Sequence, residues 1–390
     1  VIPFEEAYRI VMSHVTAVSA ERISMPDCLG RILAEDIFSD IDMPPFNKAA
    51  VDGFACRMDD LGHDLEVIET IPAGKMPEII VTNGKCSRIM TGAAVPEGAD
   101  CIIMVEDTKI LDNGMMRITR GPNAPNICHQ GEDIKAGDLV LSKGTLIRPQ
   151  HLAVLASAGA VTLKVSERLH AGVLSTGDEL VEPEHLPFPS KIRNTNAYQL
   201  MAQITTSGAI PHYGGIVADT EASLSAMLSD SLDRNDIVIL TGGVSAGDFD
   251  YVPEAMESLD IEILFKSVAI QPGKPTVFGK RGDQFVFGLP GNPVSSFVIF
   301  EILVKPFLLR SMGCLEEPLT LRLPLGTDFK RKNPERKLII PVTIENGMAF
   351  PVEYHGSAHI NAYTKAKGMI AIESGKTTLA KGEITDVRFL

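Results

Sequence analysis

The sequence predicts a multi-domain protein that joins an α/β domain to all-β parts. Three observations carry that expectation. Strand–helix units alternate from about residue 168 to 312, short β-branched runs rich in Pro and Gly fill 41–133, and short strands broken by turns fill 313–390. Alternating units imply a mostly parallel sheet covered by helices on both faces, a three-layer arrangement. Turn signals every ten residues or so imply small all-β units.

In chain order, residues 4–20 ("FEEAYRIVMSHVTAVSA") place apolar positions at helical spacing and predict a helix. Short strand-like pieces follow over 21–38. Residues 134–166 return to strand and helix, with "GTLIRPQHLAVLASAG" reading as a turn and a helix that stops at Gly159. Segments 1–40 and 134–166 are therefore expected to form one discontinuous unit around a β-rich domain, 41–133. The α/β domain is expected over 167–312. There "LHAGVLST", "AIPHYGGIV", "DIVIL", "IEILFKSVAI" and "DQFVFGL" read as strands. "NTNAYQLMAQITTSG" reads as a helix opening on Asn/Thr caps and closing at Gly208, and "DTEASLSAMLSDSL" as one opening on Asp219. "YVPEAMESL" is a short helix, and "NPVSSFVIFEILVKPFLLRSM" a long, buried one with Pro293 near its first turn. The tail, 313–390, predicts a small β barrel or sandwich.

Composition bounds the function. The chain has 390 residues, 45% apolar and 22% charged, and a formal net charge of −14. That charge argues against nucleic acid as a partner, because a duplex would be repelled without a basic stripe. The densest basic run, "FKRKNPERK" (329–337), reads as a solvated hairpin or loop face. No apolar stretch approaches the roughly 20 residues that cross a bilayer, and "VIPFEEAYRI" has no signal-peptide layout. A cytoplasmic protein without a membrane partner is the expectation. The six cysteines are scattered without C-x-x-C spacing and are expected as reduced thiols.

Three loops carry the chemistry: "STGDEL" (175–180), "TGGVSAGDFD" (241–250) and "GLPGNPVSS" (288–296). Each follows a predicted strand, where ligands bind in open α/β sheets. Gly lets the backbone take positive φ and approach a ligand, and the N–H groups of such turns point at phosphate oxygens. The loops predict an anionic, phosphorylated ligand. Asp178, Glu179, Asp219, Asp248 and Asp250 fall at the same strand ends. Carboxylates beside phosphate are unfavourable unless a cation intervenes, and Mg²⁺ readily bridges the two. Taken singly, Asp219 could be a helix cap and Asp248 a solvated acid. "ESGKTT" (373–378) lacks the first Gly of a Walker A loop, and His355 and His359 flank Gly356 and Ser357, as in a turn. No G-x-S-x-G elbow is present.

These motifs, with "AVDGFA" (50–55), "MTGAAVPEGADCIIMVED" (90–107), "QGEDI" (130–134) and "QPGKP" (271–275), give the chain an end-to-end resemblance to a known family. It resembles the molybdopterin molybdenumtransferases of MoeA type, which also include the gephyrin C-terminal region. The resemblance implies an elongated segment, an inserted β domain, an α/β molybdopterin-binding domain and a C-terminal β barrel. It implies a homodimer whose cleft is shared, the inserted domain facing the partner's α/β domain. It also implies the reaction: adenylylated molybdopterin and molybdate give molybdenum cofactor, AMP and water, with Mg²⁺.

Carried over residue by residue, the resemblance implies Asp52, Asp133, Glu179 and Asp250 as catalytic acids. Thr91, Asp219 and Lys274 match binding positions. So do the strand-end loop Ser175, Thr176 and Gly177, the phosphate loop Gly242, Gly243 and Ser245, and the second loop Pro290, Gly291, Asn292 and Ser295. Asp178, Glu179, Asp248 and Asp250 are the metal candidates. Gln271 stands where many members have Lys, with Lys266 as a substitute. Asn361 and Ala362 stand where relatives often show Ser, and Arg336 is placed as the basic residue of that region. The adenylyltransferase of the same pathway and acceptor molybdoenzymes are implied partners. An adenylyltransferase activity or a non-catalytic scaffold and cofactor carrier are the alternatives. Tungstate and molybdate have nearly the same size and charge, so either oxyanion fits.

Overall fold

The computed structural model describes residues 1–244, 251–353 and 356–390. Its centre is the α/β unit, whose strands and helices are β1 (His170–Thr176), α1 (Asn196–Thr206), β2 (Ile210–Val217), α2 (Glu221–Leu232), β3 (Ile237–Thr241), α3 (Val252–Ser258), β4 (Glu262–Phe265), β5 (Val277–Arg281), β6 (Gln284–Leu289), α4 (Pro293–Ile299) and α5 (Lys305–Ser311). The sheet order is β2-β1-β3-β6-β5-β4. The first four strands run parallel, and β5 and β4 are antiparallel to their neighbours.

Side-chain alternation explains the layers. Val173, Ile239 and Phe287 face one side, where they meet Leu200 and Ile204 of α1 and Phe307 of α5. Leu174, Val238, Leu240 and Val286 face the other, against Leu224 and Leu228 of α2 and Met256 of α3. A parallel strand covered on both faces needs an unbroken apolar run, and all five residues of β3 are buried. The chain places β2 on one side of β1 and then crosses to place β3 on the other. That reversal opens a crevice at the carboxyl ends of β1 and β3. The long helix expected from Pro293 is one rod, α4 and α5 joined by a π turn at Phe300–Val304. The strand β5 had no counterpart in the sequence reading. "IEILFKSVAI" divides into β4 and a separate pair, Ile270–Gln271, that joins the C-terminal sheet.

The first helix is shorter than expected, Phe4–Ser13 rather than 4–20. Beyond it Val15 and Thr16 are β-branched, and the amide of Val18 donates to the Ser311 carbonyl at 3.1 Å, which pulls the chain out of helical register. Ala20–Ser24 then pairs antiparallel with Thr162–Ser166, and Ile37–Phe38 with Leu139–Leu141. Leu33, Ile37, Leu155 and Leu163 form their common core. The helix Pro149–Ser157 ends as read, with Gly159 at φ 71°.

Between those flanks lies a four-stranded sheet, ordered Glu66–Ile71, Lys85–Ile89, Gly53–Cys56, Cys101–Met104. Gly53 is required there by space. A Cβ at this position would lie 2.0 Å from the Ile103 carbonyl oxygen of the paired strand. The six thiols are unpaired. Burial pushes Cys86 up to about 12, so it behaves as an apolar core residue.

In the C-terminal part the sheet runs Ile270–Gln271, Lys337–Glu345, Gly368–Ile372, Ile384–Phe389, Thr320–Pro324, with Met348–Pro351 paired to Lys337–Glu345. One bridge, Leu325 to Ala349, brings the end of this path back towards Met348–Pro351. The basic run 329–337 is not simply a solvated face. Arg331 is buried, and its guanidinium donates to the carbonyls of Lys376 (2.6 Å), Arg336 (2.7 Å) and Glu373 (2.6 Å). Lys337 bridges Glu5 (2.7 Å) and Glu373 (2.9 Å). Among the described residues no helix is long and apolar enough to cross a membrane.

Replacing Gly53 with Ala should destabilise the protein by about 3 kcal/mol or more, because the obstacle is backbone and not a movable side chain. Urea denaturation of purified G53A measures it, and an unchanged midpoint would mean that the two strands can part at little cost.

Candidate functional site

A cleft of about 800 Å³ opens at the carboxyl ends of β1, β3 and β6. The three loops singled out in the sequence converge on it. Thr176 and Gly177 end β1, Gly242 and Gly243 follow β3, and Pro290, Gly291 and Asn292 follow β6. Pro275 enters from the turn before β5, and Ala358 and Ile360 enter from the C-terminal part.

Glycine is needed at the centre. Gly242 has φ 96°, and a Cβ there would lie 2.5 Å from the Thr176 carbonyl oxygen. Gly243 has φ 62°, and its Cβ would meet Thr176 Oγ1 at 3.0 Å. A Cβ on Gly291 would lie 3.5 Å from Gly242 Cα. The turns therefore stack backbone to backbone and leave a wall of peptide groups with no side chain over it. Thr176 is 5% exposed, and its Oγ1 has no hydrogen-bond partner among the described residues. A buried hydroxyl left unpaired at a cleft wall is costly unless a ligand completes it.

Acids border this wall. Glu179 and Asp219 line the cleft. Asp178 and Asp219 hold each other reciprocally: the Asp178 amide donates to Asp219 Oδ2 at 3.1 Å, and the Asp219 amide to Asp178 Oδ1 at 3.3 Å. Asp219 is not the cap of α2, since Thr220 takes that role by accepting from the Ser223 amide at 3.3 Å. The carboxylate of Glu179 lies over Gly177 and makes no hydrogen bond or ion pair among the described residues. Ser245, Asp248, Asp250 and His355 lie outside the described residues. Among the described residues no group of three or more His, Cys, Asp or Glu is arranged to hold a metal ion.

Other sequence candidates lie elsewhere. Ser175 is buried beneath the cleft and donates to Asn194 Oδ1 at 3.1 Å, and Ser295 is buried inside α4. Lys266 pairs with Glu257 at 2.8 Å on the surface, so its charge is already committed. Lys274 is exposed next to the cleft-lining Pro275. Arg336 reaches the Ile270 carbonyl at 3.5 Å. Asp52, Thr91 and Asp133 belong to the 41–133 stretch and do not line this cleft within the chain. Thr91 donates its hydroxyl and its amide to Asp52 Oδ1, each at 2.6 Å, and these bonds, the hydroxyl's first, hold the Asp52 carboxyl below the usual range. Asp133 is exposed.

The sequence reading missed one group. Arg193, Asn194 and Asn196 line the cleft, although "NTN" read only as helix caps. Asn194 does accept from the Ala197 amide at 3.3 Å in that manner. Asn196 instead reaches across the site, from its Nδ2 to Thr241 Oγ1 and to the Gly291 carbonyl, both at 2.7 Å. Two asparagines around a helix start facing the strand ends were the available signal.

A cavity of similar size, about 810 Å³, opens at the amino ends of the same strands, beside His170, Asp236 and Phe285. None of its lining residues is glycine, and Arg31 there is already bound to Glu21 at 2.5 Å. The functional reading therefore rests on the carboxyl-end cleft.

Known proteins resemble this chain along its whole length. Family models described as the MoeA N-terminal region (domain I and II), a probable molybdopterin binding domain and the MoeA C-terminal region (domain IV) match residues 2–159, 172–310 and 322–390. The molybdopterin molybdenumtransferase of Staphylococcus epidermidis is 35% identical over 397 aligned positions, 99% of this chain and 95% of that protein. The enzyme of the same name from Staphylococcus aureus is 33% identical with the same coverage. The crystal structure of the molybdopterin biosynthesis moeA protein from Pyrococcus horikoshii OT3 superposes with a TM-score of 0.85 at 30% identity, covering 100% of both chains.

The Asp52–Thr91 contact has a pH signature. Because the folded carboxyl titrates below its unfolded value, about 3.9, the contact stabilises the fold above that value. The stabilisation is lost as pH falls through the folded value. In Thr91→Val the Asp52 titration, followed by carbonyl-carbon NMR, should move up towards the ordinary range. An unmoved titration would show that Thr91 does not hold the charge.

Proposed function

Because the chain belongs to the MoeA family of molybdopterin molybdenumtransferases, enzymes of molybdenum cofactor biosynthesis, we propose that it converts adenylylated molybdopterin and molybdate into molybdenum cofactor, AMP and water. The observation that carries this reading is the convergence of three glycine turns, an unpaired Thr176 hydroxyl and the Glu179 carboxylate in one cleft of the segment matched to molybdopterin binding. The peptide N–H groups of Gly243 and Gly291 take the diphosphate beside Gly242, whose own N–H is bonded to the Leu289 carbonyl at 3.0 Å, and Thr176 Oγ1 completes the diphosphate's bonding there. Arg193 and Lys274 supply positive charge for oxyanions.

The cleft offers carboxylate oxygens, the ligand type that Mg²⁺ takes. Asp178, Glu179, Asp248 and Asp250 are the residues that would hold it. When bound, the ion supplies neutralisation of the charge that develops on departing AMP. Glu179 fits the part best among the described acids, since it lines the cleft and its carboxylate has no hydrogen-bond or ion-pair partner among the described residues.

Asp52, Thr91 and Asp133 are absent from their own chain's cleft, which supports a homodimer in which they complete the partner's site. The remaining parts of the reading are a cytoplasmic setting, exchange with an adenylyltransferase and with acceptor molybdoenzymes, and division into 1–40 with 134–166, 41–133, 167–312 and 313–390. We read the last unit as a barrel closed through the Leu325–Ala349 bridge.

Purified protein given adenylylated molybdopterin, molybdate and Mg²⁺ should release AMP, and chelation should stop the release. Glu179→Ala should keep its circular dichroism spectrum and lose about 100-fold or more in turnover. Wild-type rates in E179A would remove Glu179 from the mechanism. No molybdate-dependent AMP from the wild type would overturn the proposal.

A further inference from the structure

We infer that Asn196 is a positioning residue which, through Thr241, locks the glycine turns of the cleft together and so sets affinity for the phosphate-bearing substrate. The inference rests on the reaction proposed above and adds to it a residue that the sequence motifs did not mark.

Asn196 is the first residue of α1 and is 7% exposed. A carboxamide nitrogen carries two protons. In Asn196 one is directed to Thr241 Oγ1 and the other to the Gly291 carbonyl, each at 2.7 Å. Thr241, the last residue of β3 and 2% exposed, passes the connection on by donating to the Pro290 carbonyl at 3.3 Å. Among the described residues, these are the side-chain bonds that the Pro290 and Gly291 carbonyls accept. One amide therefore ties α1, the end of β3 and the loop after β6 into a single piece.

The tie matters because of what it holds. Gly291 stacks on Gly242, and Gly242 stacks on the Thr176 carbonyl, with no side chain between them. Glycine turns have little to fix them besides their own contacts, since each glycine is free to take many backbone conformations. A pre-formed anion cradle needs its N–H groups aimed before the ligand arrives, or ordering them weakens binding. Both donors of Asn196 Nδ2 are committed to protein, so this group acts through the loops and not by contact with the reacting atoms. The expected effect lies in substrate affinity, because the cradle binds the diphosphate alike before and during the reaction.

The test is a double-mutant cycle of Asn196→Ala and Thr241→Val, read by steady-state AMP release from adenylylated molybdopterin and by calorimetric binding of AMP. Each single variant should raise KM and the AMP Kd roughly tenfold, with kcat within about threefold of wild type. The double variant should be little worse than either single one, since both break the same tie. A merely structural role would lower the unfolding temperature and leave KM unmoved in the folded protein. Unchanged KM, additive effects, or a kcat collapse at constant KM would each overturn the inference. If N196A does not fold, the near-isosteric T241V carries the KM and Kd test by itself. A wild type that releases no AMP would overturn the reaction proposed above and this inference with it. An active wild type with unaffected variants would overturn this inference alone.

Discussion

At the carboxyl edge of the central sheet, the backbone after β3 lies so close to the end of β1 that no side chain fits between them. Gly242 would place a Cβ 2.5 Å from the Thr176 carbonyl, and Gly291 packs on Gly242 in turn. This contact is possible because β1 and β3 are adjacent parallel strands, and they are adjacent because the chain reverses its winding direction at β1. The crevice, its wall of peptide groups and the stranded hydroxyl of Thr176 all follow from that approach. A larger residue at Gly242 would part the strand ends and open the wall of peptide groups.

The acids make sense only beside that wall. Glu179 and Asp219 border a surface whose peptide dipoles favour negative charge, in a chain that is already net negative. Asp178 and Asp219 are fixed by each other's amides, whereas Glu179 has no such partner among the described residues. The pair shapes the loop, and the Glu179 carboxylate beside it is left facing the cleft. In the 41–133 sheet, Asp52 is likewise shaped by one residue, Thr91, through two bonds to one oxygen. The two sets of acids sit in different parts of the chain.

Family membership fits the same physical picture from another side. The three matched regions cover the flanks with the inserted sheet, the α/β unit and the C-terminal sheet. The motif glycines acquire separate reasons. Gly53 is excluded from carrying a side chain by the Ile103 carbonyl, a matter of strand pairing, while Gly242 and Gly243 are excluded from it by Thr176 at the wall of the cleft. The motifs therefore hold glycines required by strand pairing as well as glycines required at the cleft wall.

Much of this was legible in the sequence, because periodicity and turn chemistry are local. The strands His170–Thr176 and Ile237–Thr241, the helix stops at Gly159 and Gly208, and the three strand-end loops are set by side-chain alternation and by φ values that glycine alone takes easily. The tertiary structure decided the rest. It ended the first helix at Ser13 by offering Val18 a carbonyl from α5, and buried Arg331 among carbonyls where the sequence showed a solvated charge run. It also gave the cap of α2 to Thr220 and turned Asn196 from a helix cap into the tie between two glycine turns. In each case the deciding partner lies on another element of the fold or depends on how the backbone turns. A residue's own neighbours encode its backbone angles, but which carbonyl its amide meets is known only once the elements have packed.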